Sequence, residues 1–105
     1  MGQSDRLAAV AFQQAADQGL AAAQYYLGVL YQVGRGVPKS KPRAVELFRV
    51  AADQDLAEAQ YALAMLYFYG QGIPQSKEVA MIWLKKAAAL GDLTARAQLK
   101  QLGVE

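Results

Sequence analysis

Apolar and small residues recur along the chain at spacings of three and four, the period of a helix with one buried face. Ala23, Leu27, Leu30, Tyr31 and Gly34 fall on one such line, and Ala44, Leu47, Phe48, Ala51 and Ala52 on a second. Between them lies Gly34-Arg35-Gly36-Val37-Pro38. Glycine supplies the positive φ that ends a helix, and Pro38 prevents its resumption. Ser40 precedes the second line and Pro42 stands just inside it, the mark of a capped helix start. The pattern predicts two helices of roughly 12 residues joined by a glycine-proline loop, a helical hairpin.

The hairpin then repeats. Residues 23–58 laid over residues 59–94, a shift of 36, give fourteen identities. They include Ala23/Ala59, Gln24/Gln60, Tyr25/Tyr61, Leu27/Leu63, Leu30/Leu66, Tyr31/Tyr67, Gly34/Gly70, Gly36/Gly72, Pro38/Pro74, Ser40/Ser76, Ala44/Ala80 and the Ala51-Ala52/Ala87-Ala88 pairs. Ala8, Phe12, Ala15, Ala16 and Gly19 align upstream, and Ala95 and Leu99 downstream. Self-similarity at this period marks a repeat architecture. The expected organisation is a single repeat domain over residues 1–105: a second helix of a partial unit (5–19), two units (20–55 and 56–91) and a final capping helix (92–105). That makes an all-α fold of about six helices, alternating in direction as antiparallel pairs.

Composition narrows the chemistry. The chain has no His and no Cys, so the commonest bases, nucleophiles and soft metal ligands are missing. Asp53, Asp55 and Glu58 are the closest carboxylates in sequence, and they suit a turn and a helix start better than an acid–base or metal site. The Gly-Arg-Gly and Gly-Gln-Gly loops follow helices and lack the Lys-Ser/Thr ending of a phosphate-binding loop. No enzyme, no metal and no cofactor is expected. A net charge of +2 from eleven basic and nine acidic residues is too weak and dispersed for a nucleic-acid footprint. The longest apolar run, Tyr61 to Tyr69, is nine residues, against the roughly 20 that span a bilayer, so no membrane insertion is expected. The first residues do not read as a secretory signal, and the compartment stays open.

The unit Ala-Gln-Tyr-x-Leu-x-x-Leu-Tyr-x-x-Gly-x-Gly-[Val/Ile]-Pro-x-Ser, followed by Ala and then Ala-Ala, resembles the Sel1-like repeat, a relative of the tetratricopeptide repeat. The likeness runs from about Ala8 to Leu102. It departs at Ala64, where the motif has glycine, and at Asp55, which stands in the slot of Gly19 and Gly91. The resemblance implies a right-handed α/α superhelical solenoid, often bacterial, whose first helices line a concave groove and which serves as a scaffold for protein complexes.

On that footing the buried stripe takes positions 23, 27, 30 and 31, leaving the opposite line of each first helix for a partner. The line reads Tyr26, Val29 and Val33 in one unit and Glu58, Ala62, Met65 and Tyr69 in the next, with Gln98 on the final helix. Tyrosine, methionine and valine there suit a peptide or helix groove. Tyr25, Tyr31, Tyr61 and Tyr67 recur at fixed positions and read as core. Arg35, Lys39, Lys41 and Arg43 gather around the first loop, a candidate contact for an acidic partner. The first helix, with Leu7, Val10, Ala11 and Phe12, is expected to lack a partner inside the chain and to favour a homodimer. The rival to a partner-binding scaffold is a spacer or self-association module with no ligand of its own.

Overall fold

The computed structural model describes residues 2–104. Among the described residues six helices follow one another: α1 Gln3–Asp17, α2 Ala21–Val33, α3 Lys41–Ala52, α4 Ala57–Tyr69, α5 Lys77–Ala89 and α6 Leu93–Gln101. Each packs chiefly against its neighbours in sequence, and the molecule measures 44 × 23 × 18 Å. The protein is an all-α helical repeat solenoid.

Local chemistry sets the helix ends. Ser40 Oγ accepts the Arg43 N–H at 3.3 Å and Ser76 Oγ the Val79 N–H at 3.2 Å. Asp92 does the same for Ala95 at 2.8 Å, and each such cap contributes about 1 kcal/mol. Gly34 and Gly70 close α2 and α4 in the left-handed region, at φ 74° and 66°. Asp55 takes that region at φ 64°, where Gly19 and Gly91 take it elsewhere; a short polar side chain tolerates it at a modest cost.

Within each pair, the first helix offers a small residue to a large one on the second. In α2–α3 a Cβ added at Gly28 would stand 2.7 Å from Phe48 Cε1, so only glycine fits. In α4–α5 the position holds Ala64, fully buried in one cluster with Leu84. Between pairs, a side chain of each first helix reaches the end of the preceding second helix. Gln24 Nε2 donates to Ala16 O at 3.3 Å, Gln60 Nε2 to Ala52 O at 3.1 Å, and Arg96 Nε to Ala88 O at 3.1 Å. Each carbonyl also accepts a backbone N–H of the following turn, from Gly19, Asp55 and Gly91, so the side chains add a second bond at these helix ends.

The loops add a third joint. A Cβ on Gly36 would collide with the Asp5 carbonyl, and one on Gly72 would lie 2.6 Å from the Lys41 carbonyl carbon. The second glycine of each loop thus lets it lie on the start of the preceding second helix.

The first helix does have a partner inside the chain, which corrects the expectation from sequence. Ala9 and Ala16 of α1 are buried, and Phe12 stacks on Tyr26 of α2 at 5.5 Å between centroids. A second helix has two sides to cover, and the side toward the following unit is filled here.

Candidate functional site

The candidate partner line lies on α2, α4 and α6. Tyr26, Val33 and Tyr69 are large apolar or aromatic residues left 51%, 57% and 61% exposed. Glu58 is exposed as well, while Val29, Ala62, Met65 and Gln98 are half-buried. Val29 and Ala62 back onto the cluster of Phe48 and Leu63, and Met65 onto that of Ala64 and Leu84. The line therefore consists of a half-buried floor with projecting aromatic and branched side chains above it. Tyr69 contacts Phe68 edge-on at 5.1 Å, and Lys77 Nζ lies 5.6 Å from the Phe68 ring centre.

Tyr26 has a second attachment. Besides Phe12 it meets Tyr25 edge-on at 5.3 Å, and Tyr25 in turn leans on Phe48 at 5.6 Å. Burial, then the Glu58 carboxylate, Tyr26 and Asp92, raise the Tyr25 hydroxyl above its ordinary pKa. Tyr31 and Tyr67 pack on the central cluster, under Arg43 and Arg49 at 5.1 and 5.8 Å. Arg49 also donates to the Tyr67 hydroxyl.

The four cations of the first loop are placed separately. Arg35 Nε reaches Asp5 Oδ1 at 3.2 Å, and Arg43 stacks over Tyr31. Lys39 places its Cβ over Gly34, and the half-buried Lys41 lies under Gly72. The Arg35 pair is exposed enough that it adds little stability, but it ties the loop to α1.

Two features escaped the sequence reading. Gln24 and Gln60 are 6% and 1% exposed and act as joints between units; their recurrence was visible, but a polar residue beside an apolar stripe reads as surface. Leu7 and Val10 are 62% and 54% exposed, yet their register mates Arg43 and Glu46 are exposed inside the array too. The open seam of α1 is instead Ala8, Phe12 and Ala15. All three are half-buried, whereas Ala44, Phe48 and Ala51 are fully buried.

Among the described residues no helix is long and apolar enough to cross a membrane, and no three His, Cys, Asp or Glu residues gather as a metal site. The class that the fold defines is the α/α helical repeat solenoid. The family model for the Sel1 repeat matches residues 12–20, 21–56 and 57–92, and the chain belongs to that family. It is similar in structure to a Sel1 repeat protein of Oxalobacter formigenes (TM-score 0.85, 37% identity), covering 87% of this chain and 26% of that one. It is similar also to a protective antigen of uropathogenic Escherichia coli strains displaying an SLR fold (TM-score 0.84, 36% identity), covering 87% of this chain and 20% of that one. Helicobacter pylori cysteine rich protein B shares the fold (TM-score 0.80, 22% identity), covering 84% of this chain and 66% of that one. The chain thus spans about a quarter or less of the first two proteins' lengths and about two-thirds of the third's. Among curated proteins no match is found.

Proposed function

We propose that the chain is a protein-interaction module that receives a peptide or short helix of a partner along the first-helix line of Tyr26, Val29, Val33, Ala62, Met65 and Tyr69. The observation that carries this reading is the exposure of Val33 and Tyr69, at 57% and 61%. They stand at one register position of adjacent units, where no core contact requires them. Aromatic and branched side chains above a half-buried floor supply the anchoring that interface hot spots use. Glu58 and Gln98 would give the rim polar contacts.

The test is selection of binding peptides from a displayed library, followed by titration of the best against wild type and Val33→Ser/Tyr69→Ser. Tyr26 is left intact because it covers Phe12. With equal helicity by circular dichroism, a loss of about ten-fold or more supports the groove, since each hot-spot truncation costs more than about 1 kcal/mol. Equal affinity moves the binding surface away from this line, and no selectable peptide favours a spacer.

A second reading, self-association through α1, is favoured by the half-buried Ala8, Phe12 and Ala15. Sedimentation equilibrium should show a dimer that Phe12→Glu disperses; a monomer at all concentrations excludes it.

A further inference from the structure

The first helices and the second helices carry charge of opposite sign. Across α2 and α4 every residue is uncharged except Glu58, and Asp92 caps the start of α6. On the second helices, Lys41, Arg43 and Arg49 outnumber Glu46 in α3, and Lys77, Lys85 and Lys86 outnumber Glu78 in α5. The cations of α6 lie off the candidate line. Arg96 takes the register of Gln24, which reaches back to α1, and Lys100 that of Gly28, which meets Phe48 of α3. The line on α2 and α4 is therefore apolar with carboxylates at one end and no cation of its own.

At that end two rings stand beside the carboxylates. Tyr25 and the exposed Tyr26 meet edge-on at 5.3 Å. Burial, then Glu58, Tyr26 and Asp92, raise the Tyr25 hydroxyl, so α2, α4 and the start of α6 act on one spot. The ion pair among the described residues joins Arg35 to Asp5, which leaves Glu58 and Asp92 without a counter-ion. Asp92 spends Oδ1 on the Ala95 N–H, and a carboxylate accepts more than one bond. Tyr31, Tyr67, Phe68 and Trp83 each hold an arginine or lysine of this chain near the ring; among the described residues Tyr25 and Tyr26 hold none. A purely apolar segment laid along the line would strip water from Glu58 and leave the charge unpaired, which is costly. A cation at the same place turns that cost into a charge-assisted hydrogen bond. Arginine suits it best, because a guanidinium donates in pairs to carboxylates and stacks on aromatic faces.

We propose that the groove selects a partner segment bearing an arginine, which stacks on Tyr25 and Tyr26 with Glu58 and Asp92 as counter-ions, beside apolar residues on Val33, Met65 and Tyr69. This rests on the peptide-binding reading of the same line and adds the charge of the partner. Glu58 and Tyr69 are eleven residues apart on α4, about 16 Å along its axis. In an extended segment the arginine and the apolar anchor are then about five residues apart.

The test selects a random displayed peptide library against wild type and against Glu58→Gln, a change at an exposed position whose helicity circular dichroism checks. The wild-type pool should be enriched in arginine about five residues from an apolar residue, and the variant's pool should not. By fluorescence anisotropy the most enriched peptide should bind Glu58→Gln about ten-fold more weakly. It should also bind Asp92→Asn more weakly, a substitution that keeps the helix cap. An analogue with glutamine in place of the arginine should bind wild type and Glu58→Gln alike, as expected if the two charges are in contact. Equal affinity of the parent peptide for wild type and Glu58→Gln, with loss in Val33→Ser/Tyr69→Ser, overturns the arginine site and leaves the groove standing. No selectable peptide, or binding that neither variant changes, overturns both. A scrambled peptide of the same charge that binds as tightly also overturns the arginine site, because the carboxylates would then attract any cation.

Discussion

The two complete hairpins, α2–α3 and α4–α5, carry the same fold with different partitions of volume at their centre. One pairs Gly28 with Phe48; the other pairs Ala64 with Leu84. Adding a methyl on one side is matched by a smaller side chain on the other. Phe48 and Leu84 are both fully buried, so neither solution leaves its large residue uncovered. The comparison teaches that the glycine of the motif is one half of a pair, and that its absence in the second unit is compensated across the hairpin.

The largest effect expected on this comparison comes from emptying each pair. Phe48→Ala should cost about 3–5 kcal/mol and Leu84→Ala about 2–5 kcal/mol in urea unfolding. Phe48 should be the worse loss, because Gly28 has no side chain to relax into the void. Equal costs would break the idea of two packing solutions. Next, Gly28→Ala should destabilise by about 1–3 kcal/mol through overpacking, although alanine alone favours a helix by about 1 kcal/mol. Combining it with Phe48→Leu recreates the second hairpin's pair inside the first. The double variant should be more stable than the summed single effects by about 1 kcal/mol or more, a coupling expected only of residues in contact.

A smaller effect concerns the turns between units. No atom lies within 4 Å of a Cβ added at Gly91, so Gly91→Ala should cost only its left-handed backbone, about 1 kcal/mol. Asp55→Gly should move the other way, raising the melting temperature slightly. If both substitutions destabilise alike, Asp55 has a role beyond its φ. The smallest effect is electrostatic. Because the fold raises the Tyr25 pKa above the ordinary value of 10.0, it favours the neutral phenol. The stability contributed is whole below pH about 10 and is lost as pH rises through the raised value. Tyr25→Phe should therefore flatten the alkaline end of the stability–pH curve, read by circular dichroism.

How much of this was legible in the sequence follows from how local each device is. The helix ends at Ser40, Ser76, Gly34 and Gly70 rest on residues within a few positions of one another, and the 36-residue register brought out the hairpins. The pairing of Arg35 with Asp5 spans 30 positions. It depends on the loop lying across α1, which no pattern in either segment announces. The candidate line on α2 and α4 was found by subtraction, as what the buried stripe leaves over. That method located the exposed Val33 and Tyr69, but not the contact of Tyr26 with Phe12.

The side-chain links from Gln24, Gln60 and Arg96 have a mechanical consequence. Each is directional and short in reach, so it resists sliding of one unit over the next more sharply than apolar packing does. It acts as a stop on rotation at the joint. In an array several times the length of this chain, a small change of angle at each stop accumulates into a large displacement between the ends. Stiffness and curvature of such a superhelix are then set one joint at a time, by residues at the seams between units.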